Sequence, residues 1–260
     1  MARLRAVKFD EHLTLVEHLD ELRTRIIVSV AVLVLATALC FWQDDLLLEI
    51  ANRPLPEGLD EPITFAVTEP FLTTVTLSIY GGLLLSLPLI LYQLYAYVLP
   101  AFHPHERRIV LPFLLMVPFL FIAGVVFAYF VVLPAATSFL LNFNANEFNI
   151  QVRAREYYGF FALTLIAVGV LFQIPVGVLA VTRLGIVTPQ TLARNRRYAV
   201  LGIAVVAMLL PGTDPVTMLI SMLPLLLLFE FSLVLARLFG RPPEPEGELA
   251  PTKPAAQDTG

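Results

Sequence analysis

The side chains able to do chemistry in this sequence are few, and most are carboxylates beside arginines. Glu17, Asp20 and Glu21 precede Arg23 and Arg25, and Glu106 precedes Arg107 and Arg108. Two readings fit. The acids pair locally with the adjacent arginines, or they bind a cationic ligand such as a basic peptide. The second has a physical basis, because a carboxylate takes a guanidinium in a two-bond fork that an ammonium cannot reproduce. Gln173 and Glu230 lie within long apolar runs. A carboxylate in such a place is costly and faces protein or water, and a carboxamide there can hydrogen-bond across helices. Each is a bundle-internal hydrogen bond, a contact with a partner helix, or part of a transport pathway.

Other chemistries lack their residues. No H-E-x-x-H, G-x-S-x-G or P-loop pattern occurs, and no nucleophile stands beside a base. His12, His18, His103 and His105 are the four histidines. His103 and His105 have no cysteine to join them in a metal site, so solvated loop histidines are the simpler reading. Cys40 is the single cysteine and excludes an internal disulfide. It lies in an apolar run and reads as a small buried hydrophobe. No cofactor or metal is expected. The net charge of −4 gives no reason to expect a nucleic-acid partner.

The elements that carry these residues are membrane helices. Of the 260 residues, 58% are hydrophobic and 15% charged, against about 45–50% and about 25% in soluble domains. The apolar residues gather in runs long enough to cross roughly 30 Å of hydrocarbon. The pattern predicts six spans, at about 25–42, 71–99, 111–134, 157–182, 198–210 and 216–235. Pro88, Pro118, Pro134, Pro175 and Pro224 predict bent helices. The last two spans are expected to be short, and the fifth needs local bilayer thinning or a neighbour. Ahead of span 1, Phe9, Leu13, Val16, Leu19 and Leu22 recur at helical spacing. They predict an amphipathic helix over 9–25 at the membrane surface. Residues 43–70, 135–156 and 183–197 are expected to be loops. Three domains result: a cytoplasmic segment 1–25, a six-helix membrane domain 26–236, and a disordered cytoplasmic tail 237–260.

Orientation follows from the basic residues. With both termini inside, the inner segments hold all of the 17 Lys and Arg residues except Arg53, Arg153 and Arg155. The chain therefore reads as a multi-pass inner-membrane protein, N-in and C-in. A secondary transporter would bring internal repeats and paired broken helices, and none is convincing. An intramembrane enzyme lacks catalytic residues, and a purely structural scaffold remains as a third alternative.

Several long motifs occur in order along residues 10–240. They are His18-Leu19-Asp20-Glu21-Leu22-Arg23-Thr24-Arg25, Thr68-Glu69-Pro70-Phe71, Pro88-Leu89-Ile90-Leu91-Tyr92-Gln93, His105-Glu106-Arg107-Arg108, Phe127-Ala128-Tyr129-Phe130, Phe172-Gln173-Ile174-Pro175-Val176 and Leu228-Phe229-Glu230. In these the sequence resembles the TatC family, the receptor subunit of the twin-arginine protein translocase. The resemblance implies a cupped all-α bundle. It also implies binding of signal peptides that carry consecutive arginines, on folded precursors moved by the proton-motive force. Glu21 and Glu106 match the family's acids for the arginine pair. Arg23, Tyr97 and Pro100 match motif positions nearby, with Tyr97 standing where relatives commonly carry Phe. Gln173 matches a polar position in span 4 on the concave side. Pro54 and Asp214 match positions linked to function on the trans side, although Pro211-Gly212-Thr213-Asp214 departs from the common Thr-Pro-Pro-Asp. Single-span subunits of the TatA/TatB type are implied to dock along spans 5 and 6 near Met208, within a larger oligomeric assembly.

Overall fold

The computed structural model describes residues 15–56, 62–98, 104–147, 150–209 and 215–239, and among these the chain is helical almost throughout. The first helix, α1 (Leu15–Trp42), has 28 residues and is about 42 Å long. The surface helix expected over 9–25 is not a separate element where it is described. Residues 15–25 run unbroken into the apolar stretch, and neither Gly nor Pro lies between them to part the two. Residues 9–14 lie outside the described residues.

The loop expected at 43–70 contains a helix, α2 (Asp44–Asn52), whose first turn carries Asp44 and Asp45. Acids there are favoured by the partial positive charge of a helix start. Next come α3 (Glu69–Val98), with Pro88 inside it, and α4 (Pro104–Phe127). A π-helical turn, Ala128–Val132, joins α4 to α5 (Leu133–Asn142). Pro134 offers no N–H to the carbonyl one turn earlier, and the widened turn immediately before it accommodates that loss. Helix α5 runs on to Asn142, so the loop expected at 135–156 starts well after 135.

Helices α6 (Ala154–Leu171) and α7 (Ile174–Arg183) form one span, broken at Phe172 and Gln173 just ahead of Pro175, as that proline predicts. The expected basic loop holds a short helix, α8 (Pro189–Arg194), started by the Thr188 hydroxyl accepting the Thr191 N–H. Last are α9 (Arg196–Met208), 13 residues, and α10 (Pro215–Phe239), 25 residues.

Among the described residues, five helical stretches are long and apolar enough to cross a membrane: His18–Trp42, Glu69–Val98, Leu115–Asn142, Ala154–Arg183 and Met218–Phe239. Helix α9 is short, about 20 Å, as expected of span 5. The sixth predicted span is not short, because α10 continues past 235 to Phe239 and reaches about 37 Å. That extension also carries the helix beyond the predicted domain boundary at 237. The rest of the expected tail, from 240, lies outside the described residues.

Close packing follows from missing side chains. Helices α1 and α3 run antiparallel, since His18 meets Tyr97, Arg25 meets Gln93 and Thr37 meets Gly82. A Cβ at Gly82 would sit 2.6 Å from the Thr37 Cα, so only glycine lets the two backbones approach this closely. Gly124 and Gly169 do the same for α4 and α6, where an added Cβ would lie 2.9 Å from the Gly169 Cα. Cys40 is buried and free, in line with its reading as a small hydrophobe. The main core gathers Ala51, Leu77, Leu133, Tyr157, Phe161 and Leu165, while Leu35, Phe119, Phe130 and Leu223 face outward.

Candidate functional site

The predicted acidic site begins on α1. His18, Glu21 and Arg25 stand at i, i+3 and i+7, one face of the helix, opposite Gln93 and Tyr97 on α3. Glu21 Oε1 accepts from Arg25 Nε at 2.9 Å and from Arg25 Nη2 at 2.5 Å. Arg25 Nη1 also donates to Gln93 Oε1 at 2.6 Å. The His18 ring stacks on Tyr97 at 4.3 Å with planes 10° apart. Its Nδ1 lies 4.0 Å from Glu21 Oε2, beyond hydrogen-bond length. Glu21 Oε2 therefore has no hydrogen-bond donor among the described residues.

The Glu21 and Arg25 side chains are each 23% exposed, so the pair is neither sealed nor fully solvated. Local pairing, one of the two sequence readings, is realised for Glu21. The same contacts form a half-buried slot that already holds a guanidinium against a carboxylate and a carboxamide, with the stacked His18 ring beside the carboxylate.

The other predicted residues divide. Tyr97 is part of the cluster. Arg23 is exposed and makes no ion pair with the described residues; two positions from Glu21, it points away around the helix. Glu106 lies in the first turn of α4. Its backbone is at the same end of the bundle as Glu21, because residues 99–103 link it to the end of α3 beside Tyr97. Pro100, Asp214 and His103 lie outside the described residues.

Gln173 is 6% exposed, and its Nε2 donates to the Val117 carbonyl at 3.2 Å. It stands at the break between α6 and α7 and is bonded across to α4. Its Oε1 has no partner among the described residues. Glu230 faces out of the bundle. It is 50% exposed and pairs with Arg196 Nη2 at 3.0 Å, so its charge is met on the surface by the first residue of α9. Met208 is 55% exposed near the end of α9, beside Leu209 at 78%.

At the far end, Pro54 is buried, and its carbonyl accepts from Thr137 Oγ1 at 2.9 Å. Helix α2 is held there by tyrosines. Tyr129 donates to the Ile50 carbonyl at 2.9 Å, Tyr157 to the Ala51 carbonyl at 2.6 Å, and Tyr158 to Asn52 Oδ1 at 2.9 Å. The first two bonds satisfy backbone carbonyls that the end of a helix leaves without partners.

A second ion pair at that end was not foreseen. Glu69 is 5% exposed, and its Oε1 accepts from Arg153 Nε at 2.6 Å. Its Oε2 accepts the backbone N–H groups of Phe65 at 2.8 Å and Ala66 at 3.2 Å. A buried charge persists only when paired and hydrogen-bonded in this way. The Glu69 hydrogen bond holds the Arg153 guanidinium pKa above its ordinary value. An isolated bridge between Ile63 and Arg153 ties the same two loops. The signal was present in the sequence, since an acid enters span 2 and a base precedes span 4 on one predicted side.

Residues 17–224 match the family model described as Sec-independent protein translocase protein (TatC). The chain belongs to the TatC family. It is 35% identical over 240 residues to the TatC of Carboxydothermus hydrogenoformans, covering 92% of this chain and 98% of that one. It is 34% identical to the TatC of Escherichia coli strain K12, covering 86% and 88%. A crystal structure of the twin-arginine translocase receptor TatC superposes with a TM-score of 0.73 at 32% identity, covering 84% of this chain and 99% of that one. A second crystal structure of that receptor gives 0.73 at 33% identity. As a TatC protein, the chain is a component of the Sec-independent translocase and a multi-pass inner-membrane protein.

Proposed function

We propose that this TatC chain is the subunit that binds the arginine pair of signal peptides on folded precursors and nucleates a translocation complex driven by the proton-motive force. The observation that carries the reading is the half-buried slot around Glu21. Arg25 lies in it as an internal surrogate for a ligand guanidinium, while Glu21 Oε2 remains without a donor among the described residues. An incoming arginine takes Oε2, or displaces Arg25, which keeps Gln93 as its alternative acceptor. Stacked His18 and Tyr97 supply a flat wall, and Glu106 at the same end supplies the second carboxylate. Pro100 belongs to the same site in this reading, and Arg23, turned away from Glu21, meets the peptide outside the slot.

In this reading α9 is the fifth of six spans, and both termini lie in the cytoplasm. Residues 1–25 are the cytoplasmic entry segment, 26–236 the membrane domain and 237–260 the cytoplasmic tail. Pro54 and Asp214 act on the trans side. Partner subunits of the TatA/TatB type dock along α9 and α10 near Met208, beside Gln173 and Glu230, within an oligomer. The role is binding and assembly rather than catalysis. An exposed ion pair would contribute only about 0–1 kcal/mol, whereas a partly desolvated, charge-assisted bond contributes about 1.5–3 kcal/mol. The test is site-specific photocrosslinking of a twin-arginine precursor in membranes carrying Glu21→Lys with Glu106→Lys. Loss of the crosslink is expected. A crosslink at the wild-type level refutes the assignment.

A further inference from the structure

A cavity of about 420 Å³ opens between the starts of α3 and α6, at the end of the molecule opposite Glu21. Its size falls within the roughly 300–1,000 Å³ of small-ligand sites. Its wall along α3 is one helical face, running from Glu69 through Leu72, Thr73 and Thr76 to Tyr80, about 16 Å along the axis. Gly159 forms part of the opposite side, and an added Cβ there would meet nothing within 4 Å. Arg153 and Arg155 stand at the rim beside Glu69.

Charge and polarity are graded along this groove. Glu69 neutralises Arg153, whereas Arg155 is exposed and makes no hydrogen bond or ion pair with the described residues. The rim lining thus carries one uncompensated positive charge, at the level where two membrane spans begin. Below the rim the surface is mostly apolar. Thr73, only 6% exposed, also lines the groove, and its hydroxyl makes no hydrogen bond with the described residues. A single cation above a lipid-length apolar channel complements an amphiphile whose head is anionic. A soluble anion would leave the Leu72 and Tyr80 walls unused, and a zwitterionic lipid would bring a second cation to the Arg155 rim along with its phosphate.

We propose that this groove is a binding site for one anionic phospholipid, with its phosphate on Arg155 and one acyl chain along Leu72, Thr76 and Tyr80. The orientation proposed above makes it an outer-leaflet lipid. The site lies away from the Glu21 slot and stands independently of the signal-peptide reading.

The experiment is native mass spectrometry of the full chain released from detergent, with phosphatidylglycerol and phosphatidylcholine of identical acyl chains offered in competition. Wild type is expected to retain phosphatidylglycerol preferentially. Arg155→Gln is expected to reduce that preference about fivefold, the effect of one interfacial arginine. Gly159→Leu fills the groove from a position with open space and is expected to abolish retention of both lipids at that site. Arg53→Gln, on an exposed arginine outside the groove, is expected to leave the preference unchanged. Circular dichroism at the wild-type helix content establishes that each variant is folded. Equal retention of the two lipids by wild type, or an Arg155→Gln variant indistinguishable from wild type, overturns the proposal. Displacement of the lipid by millimolar inorganic phosphate alone also overturns it, because the site would then read an anion and not an amphiphile.

Discussion

Two ion pairs of one chemical type sit at the same end of this protein in different surroundings, and that contrast sets a quantitative test. Glu69 is 5% exposed and receives Arg153 together with the N–H groups of Phe65 and Ala66. Glu49 is 61% exposed and receives only Arg53. Replacing Glu69 by Gln keeps the shape but sets an amide against the Arg153 donor. One charge-assisted bond of about 1.5–3 kcal/mol is lost, and the two backbone bonds weaken towards about 0.5–1.5 kcal/mol each. Arg153 is 40% exposed and can turn to water, which lowers the total to about 2–3 kcal/mol. Glu49→Gln is expected to cost about 0–1 kcal/mol. The assay is thermal unfolding of both variants in one detergent, with Arg153→Gln and the double variant completing a mutant cycle. Equal shifts for Glu69→Gln and Glu49→Gln, or a cycle with no coupling, would refute the reasoning that burial gives the Glu69 pair its strength.

Other substitutions test the packing. Tyr157→Phe removes a 2.6 Å bond to the Ala51 carbonyl and leaves that buried acceptor alone. A loss of about 1–3 kcal/mol is expected, read as a lowered unfolding midpoint, with α2 becoming the first site of proteolysis. Gly82→Leu drives a side chain into the Thr37 backbone, so a cysteine pair placed across α1 and α3 should crosslink more slowly in the variant. Glu230→Gln removes a half-exposed pair with Arg196 and is expected to change stability by less than about 1 kcal/mol. A larger loss would show that the pair is desolvated within the span Met218–Phe239 rather than screened by water.

The spans were legible because runs such as residues 26–42 leave no alternative to a membrane helix, and their prolines marked real distortions at Pro134 and Pro175. What escaped was governed by contacts between distant segments. Helix α2 reads as a polar loop, since its helicity depends on tyrosines from about 80 to 106 residues away along the chain. For Glu230 the sequence leaves a bundle-internal bond, a partner-helix contact and a transport pathway open, and helical geometry turns it outward to meet Arg196 on α9. The end of span 6 was placed too early because Ala236, Arg237 and Leu238 carry no strong stop signal ahead of Gly240 and Pro242. At the candidate site the acids were visible as Glu21 and Glu106. Gln93 and the stacking of His18 on Tyr97 were not, because they depend on the antiparallel register of α1 and α3, which Gly82 sets.

The direct measurement is the affinity of the purified protein for a twin-arginine signal peptide and its twin-lysine counterpart, before and after Glu21→Gln. A partly buried guanidinium–carboxylate bond of about 1.5–3 kcal/mol predicts that wild type prefers the arginine peptide. Glu21→Gln then weakens that peptide at least about tenfold and leaves the lysine peptide nearly unchanged. Equal binding of the two peptides by wild type, or an arginine peptide indifferent to Glu21→Gln, contradicts the account.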